Sequence, residues 1–237
     1  MAGPERRKKP RLTGDVDGEA RIIPPTRDMT YSLPSGRHLA SARRREIYVH
    51  ASRLFVEQGY DATSMSDIAR AVKITKAGLY HFVESKEDLL FTIINWGMDE
   101  LYEEVVDPAR AVEDPRERLR LIIRNHLSNI GRVASPYGNP VTRVVDEASA
   151  LGPERRRAVE DRKRGYFELI RNTLVQLRDR GELADGIDPT VAAHSIIGAI
   201  MWMARWRRPR GRLSLDEVIE QITALTLQGV LAAGVAD

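Results

Sequence analysis

Lys76, Tyr80 and His81 stand within one six-residue stretch of ITKAGLYHFVESKEDLL, residues 74–90. An ammonium, a phenol and an imidazole supply hydrogen-bond donors suited to a polyanion. They do not make a catalytic set by themselves. The five histidines stand at 38, 50, 81, 126 and 194, with no HExxH and no paired metal-ligand spacing. GxSxG, Walker and GxGxxG motifs are absent. His126 with Asp146 and Glu147 offers an acid/base set only in principle, because carboxylates on a helix are usually solvated. No catalytic residue, metal site or cofactor is therefore expected, and the chain is not read as an enzyme.

Composition agrees with a binding protein. The 237 residues are 42% hydrophobic and 30% charged, ordinary for a globular chain of one or two domains. Cysteine is absent, which excludes disulfides and thiolate chemistry. There is no apolar run of membrane-spanning length, and no apolar segment follows the MAGPERRKKPRL start. A cytoplasmic protein without membrane contact is expected. The net charge is +3, but residues 1–50 hold 11 Lys/Arg against 6 Asp/Glu. That asymmetry suits either a polyanion partner or a merely solvated basic tail.

The elements that must hold the donors read as helices throughout. Residues 1–38, rich in Pro, Gly and charge, read as a flexible basic arm. A first helix begins near Ala40 and stops at Gly59. Ser64-Met65-Ser66-Asp67 is a capping box for a short second helix ending at Val72 or Lys73. Thr75 caps a third, through Leu79 to Phe82, and Ser85 a fourth, running on to Val106. Helices are expected over 115–134, 141–150, 154–180, 190–206 and 214 to about 233, with a loop at 135–140. The 190–206 helix is apolar on nearly every side and must be buried on several faces. The fold class is all-α: a helix-turn-helix domain over 39–92, then a helical bundle over 93–237.

Two short helices behind a longer one make a helix-turn-helix, although such pairs also occur in proteins that never meet DNA. For DNA, the second helix would present Thr75, Lys76, Ala77 and Gly78 to the major groove. Ala77 and Gly78 are small enough for close approach, and Lys76 can donate to guanine O6 and N7. Tyr80 and His81 can reach phosphates or bases, and Ser85 and Lys86 place a helix N-terminus and a cation near a phosphate.

Residues 43–90 resemble the DNA-binding domain of TetR-type transcriptional repressors. Phe55, Gly59, Tyr60, Thr63, Ile68-Ala69, Leu79-Tyr80, Ser85-Lys86-Glu87 and Leu89 carry the likeness. The resemblance implies a homodimeric repressor on double-stranded DNA, with a C-terminal domain that takes a small-molecule inducer. It implies that Tyr80 and Lys86 contact phosphates and that Thr75, Lys76 and His81 lie in or beside the major groove. Thr63 and Ser64 complete the candidate DNA-facing set. The family usually has glycine where this chain has Lys73, so a positive φ there would strain the turn.

Residues 198–214, with Trp202-x3-Trp206 and the following Arg-Pro-x-Gly, resemble a TetR branch that controls sterol-ring and fatty-acid breakdown and often responds to acyl-CoA thioesters. Arg124, Tyr166, Met201, Trp202, Arg205 and Trp206 are candidate effector contacts, and the tryptophans would equally serve a core or dimer interface. The resemblance implies that the last two helices form the dimer surface, which makes 93–237 a ligand-binding and dimerisation bundle. The rival function is a ligand sensor or adaptor without specific DNA binding.

Overall fold

The computed structural model describes residues 38–132, 140–208 and 211–232. Among them every regular element is a helix, and one bridge joins Leu183 to Leu231. The expected basic arm lies outside the described residues except for His38. So do most of the expected 135–140 loop and the residues from 233 onward.

Helix α1 (His38–Gln58) buries Ile47, Ala51 and Phe55 completely. Gly59 ends it at φ 88°, a conformation that costs glycine nothing. Helix α2 (Met65–Ala71) starts from the expected capping box: the Ser64 hydroxyl accepts from the Asp67 N–H, and the Asp67 carboxylate accepts from the Ser64 N–H. Helix α3 (Lys76–Tyr80) follows, then α4 (Lys86–Leu101). Leu79 from α3 and Leu89, Leu90 and Ile93 from α4 complete a core with Phe55 and Ile68. Each such side chain contributes about 1.5–3 kcal/mol on burial.

The chain stays helical through Val106, as expected, but not as an α-helix. Tyr102–Val106 form a π turn, in which the Asp107 N–H donates to the Tyr102 carbonyl. Helix α5 (Asp107–Arg110) then carries the chain across Pro108. Helix α6 (Pro115–Arg132) follows. The expected 141–150 helix is a correction: α7 covers only Pro140–Arg143, and Val144–Ala150 wind as a 3-10 helix. The β-branched pair Val144-Val145 is a poor α-helix start.

Helices α8 (Pro153–Asp179) and α9 (Pro189–Trp206) pack on α6 and on each other, and α10 (Leu215–Val230) lies along α6 and α9. Ile122, Ile123 and Leu127 of α6 meet Ile170 and Leu174 of α8 and Ile196 and Ile200 of α9 in the same core. The boundary expected between residues 92 and 93 falls inside α4. This helix begins beside the helix-turn-helix and ends against α6, so it belongs to both halves.

Candidate nucleic-acid interface

Helix α3 is short, yet both its ends are fixed. The Thr75 hydroxyl accepts from the Gly78 N–H at 2.9 Å, and Leu79 is wholly buried beneath it. A side chain at 78 would stand 3.1 Å from that hydroxyl, so glycine keeps the cap unobstructed. With Leu79 turned inward, Lys76, Ala77, Tyr80 and His81 are left exposed, Tyr80 at 46%. Thr75, Ser64 and Ser85 are exposed at the N-caps of α3, α2 and α4. This is a face of donors on a rigid support. The Arg43 guanidinium adds to that support by donating to the Val72 carbonyl at 2.7 Å, tying α1 to the turn.

One expected DNA contact is turned inward, and a second, half-buried, is held on a loop. Thr63 is buried, and its hydroxyl donates to the Gly59 carbonyl at 2.9 Å and the Leu54 carbonyl at 3.3 Å. It seals the end of α1 and presents no donor outward. The Lys86 ammonium donates to the Tyr60 carbonyl at 3.0 Å and the Asp61 carbonyl at 3.3 Å, and lies 4.3 Å from the centre of the Tyr60 ring. Two carbonyl dipoles and an aromatic face hold the cation on the loop after α1. The acidic first turn of α4 is held from α8. Arg155 reaches Asp88 at 3.3 Å and Glu87 at 3.8 Å, and the Gly152 N–H donates to Glu87 at 3.1 Å.

Lys73 has φ 56°, the left-handed region that favours glycine. Lys73→Gly is expected to raise the unfolding free energy by about 0.5–1 kcal/mol, the relieved strain outweighing the extra freedom of glycine in the unfolded chain. A urea titration checks it, as a higher midpoint at unchanged slope.

The six candidate effector contacts do not converge on one site. Tyr166 is buried between α8 and α6, its hydroxyl 2.7 Å from Nδ1 of His126. Met201 packs against the core. Trp202 is 60% exposed on α9, and Trp206 is exposed beyond it. Arg205 lies 5.7 Å from the Trp202 ring centre and pairs with Asp146 at 2.7 Å, while Arg124 pairs with Glu220 of α10. The tryptophans thus line an outer face and not an internal wall. In the sequence, His126 had a role only as an acid/base with Asp146 and Glu147. The structure gives it Tyr166 instead, 40 residues away along the chain, and no periodicity in the sequence pairs the two.

The class of protein follows from comparison with known families. Residues 47–93 match the family described as bacterial regulatory proteins, tetR family, and residues 112–230 match the tetracyclin repressor-like C-terminal domain. The chain belongs to the TetR family of DNA-binding transcription regulators, and these are not enzymes. Among its relatives is the HTH-type transcriptional repressor KstR2 of Mycobacterium tuberculosis, 28% identical over 82% of this chain and 96% of that protein. The structure of that KstR2 superposes with a TM-score of 0.71, covering 80% of this chain and 95% of the other. A structure of AibR in complex with isovaleryl coenzyme A and operator DNA is 36% identical, with a TM-score of 0.67 over 77% of this chain and 97% of that one. No helix among the described residues is long and apolar enough to cross a membrane, and no described group of His, Asp or Glu could hold a metal ion.

Proposed function

We propose that this chain is a cytoplasmic transcriptional repressor that binds a palindromic operator as a homodimer and is released by a small hydrophobic effector, an acyl-CoA thioester. The exposed Lys76, Ala77, Tyr80 and His81 face on the capped α3 carries the DNA half of this reading. The likeness to AibR, whose structure holds an acyl-CoA and operator DNA, supports the effector half. The dimer reading rests on α9 and α10. Val191 and Trp202 on α9 and Leu225 on α10 are exposed apolar side chains. Gly198 and Gly229 on the same helices face open space, so a partner helix can come close. Two copies joined there would set their α3 helices for successive major grooves, about 34–36 Å apart. An effector that alters this separation lowers affinity without touching the DNA-facing side chains.

Fluorescence anisotropy on DNA from the upstream region of the protein's own gene tests the reading, across salt concentrations and with an acyl-CoA panel. Tight binding that falls steeply with salt and is abolished by one thioester is the expected result. Salt-insensitive or undetectable binding, there and in a random-sequence selection, would favour the sensor without DNA specificity. Lys76→Ala is expected to weaken operator binding by about 10- to 100-fold per half-site and to relax base preference at the contacted position. Tyr80→Phe removes an uncharged donor, so it should weaken all sequences alike and leave the salt slope unchanged.

A further inference from the structure

The buried side chains of the C-terminal half include one polar pair that neither the fold nor the DNA interface explains. His126 on α6 is 4% exposed and Tyr166 on α8 is 5% exposed. Their rings meet edge-on, with centroids 5.2 Å apart and planes at 82°. The hydrogen bond between the Tyr166 hydroxyl and Nδ1 of His126 is the one each side chain makes among the described residues. A neutral imidazole and a phenol carry two polar hydrogens between them, and one bond consumes one of them. If the phenol donates, the Nε2–H is left over. If Nδ1–H donates, the phenol hydrogen is left over. Either way one polar hydrogen of the pair has no partner among the described residues, on helices whose buried side chains are otherwise mostly apolar. Buried donors are almost always paired, so a spare one calls for a partner.

We infer that the His126–Tyr166 pair is the polar end of the effector site and gives its spare hydrogen bond to the carbonyl oxygen of an otherwise apolar acyl group. This rests on the effector reading above and names the atom recognised. Three observations favour a neutral carbonyl. Burial alone holds the imidazole uncharged, lowering its pKa to about 3. A carboxylate would have to shed its water with no cation at the pair to receive it. Cations near the pair in sequence point elsewhere: Arg124 to Glu220, Lys163 to Glu160, and Arg162 to Asp99 and Asn95, while Arg164 is exposed. The phosphates of a CoA would therefore lie away from the pair, and the acyl end would reach it.

The pair also stands where a ligand would be felt. Its sequence neighbours hold the π turn at the end of α4. The Asn125 amide donates to the Glu104 carbonyl at 2.9 Å, and Asn129 donates to the Glu104 carboxylate at 2.7 Å. Tyr102 donates to the Arg162 carbonyl at 3.0 Å, and a side chain at Gly165 would come within 2.6 Å of that tyrosine's oxygen. π turns are frequent at functional sites. An acyl group seated between α6 and α8 would press on both supports of this turn, and α4 leads from it to Ser85 and the helix-turn-helix.

The test compares each acyl-CoA from butyryl to palmitoyl with its S-alkyl-CoA thioether, which lacks only the carbonyl oxygen. Affinities for the full-length protein are read by calorimetry and by release from DNA. The natural chain should prefer the best thioester over its thioether by at least about 10-fold, the worth of one well-placed hydrogen bond. Tyr166→Phe, His126→Phe and the double variant are measured alongside. The double variant should lose the preference while its thioether affinity stays unchanged, and the unchanged thioether affinity also shows that the variant is folded. Equal affinities in the natural chain, or a preference surviving in the double variant, overturn the inference and leave the acyl-CoA reading intact. Binding of no thioester at any length overturns both. A loss of thioether affinity equal to the thioester loss marks the pair as packing alone and also overturns the inference.

Discussion

Leu225→Glu is expected to give a folded protein that sediments as a monomer and binds operator DNA at least about 100-fold more weakly. The reasoning starts from exposure. Leu225 is 71% exposed in the single chain, so replacing it removes little from the fold of one copy. In the proposed dimer the same position is covered by the partner, and twofold symmetry covers it twice. Two carboxylates would be buried there without partners, at about 3 kcal/mol or more each by the cost of unpaired buried charges. That exceeds the roughly 2.7 kcal/mol that corresponds to a 100-fold change in association. A monomer then holds one half-site and forfeits the effective concentration that links the two, worth about 100- to 10,000-fold. Sedimentation velocity and anisotropy on one preparation check both numbers. Leu225→Ala removes apolar contact without adding charge and should lose less. A Leu225→Glu protein that remains a dimer would move the interface off α10.

The parts of this structure legible in the sequence are those set by local chemistry. Ser64, Thr75 and Ser85, read as caps in the sequence, cap helices in the structure. Each offers a side-chain oxygen to the backbone N–H three residues on, and such a bond needs no information from elsewhere in the chain. The donor face of α3 was legible for the same reason: one buried leucine at 79 fixes which residues turn outward. The π turn was not legible. One extra residue per turn leaves the apolar pattern of 102–106 nearly unchanged, so periodicity passes straight over it. Proline at 108 marks the place only in retrospect, having no N–H of its own to donate where the register shifts. The inward turn of Thr63 and the tethering of Lys86 were hidden too, because their partners are backbone carbonyls, which every residue carries. Helix α9 presents a different limit. Its apolar sides were plain, but sequence does not distinguish a side covered by the same chain from one awaiting a second copy. Trp202 and Trp206 belong to the exposed side.

His126 should make the fold acid-sensitive through its burial. Burial alone lowers its pKa from 6.5 to about 3. The sign follows from proton counting. Between those values the unfolded chain binds a proton at this site that the folded chain refuses, so unfolding takes up protons and acid favours it. The stability associated with the neutral imidazole is fully present above 6.5 and is lost progressively as pH falls from there toward 3. At pH 5 the loss amounts to about 2 kcal/mol. Glu100 runs the other way: burial is the largest influence on it and raises its carboxyl pKa, so its protonation on moderate acidification favours the folded state. Asp67, Asp114 and Asp188 have lowered values, with hydrogen bonds to Ser64, Glu117 and Val191 as the leading causes, and they matter only in stronger acid. The informative quantity is therefore the difference between the natural chain and His126→Phe, each unfolded in urea at pH 8 and pH 5 at one fixed protein concentration, since a dimer's stability depends on concentration. The natural chain should lose about 2 kcal/mol more than the variant over that interval. Equal losses would mean that the imidazole takes up its proton in the folded protein and is reached by water. A donor that water already satisfies would not be waiting for an acyl carbonyl, so the same titration bears on the effector site.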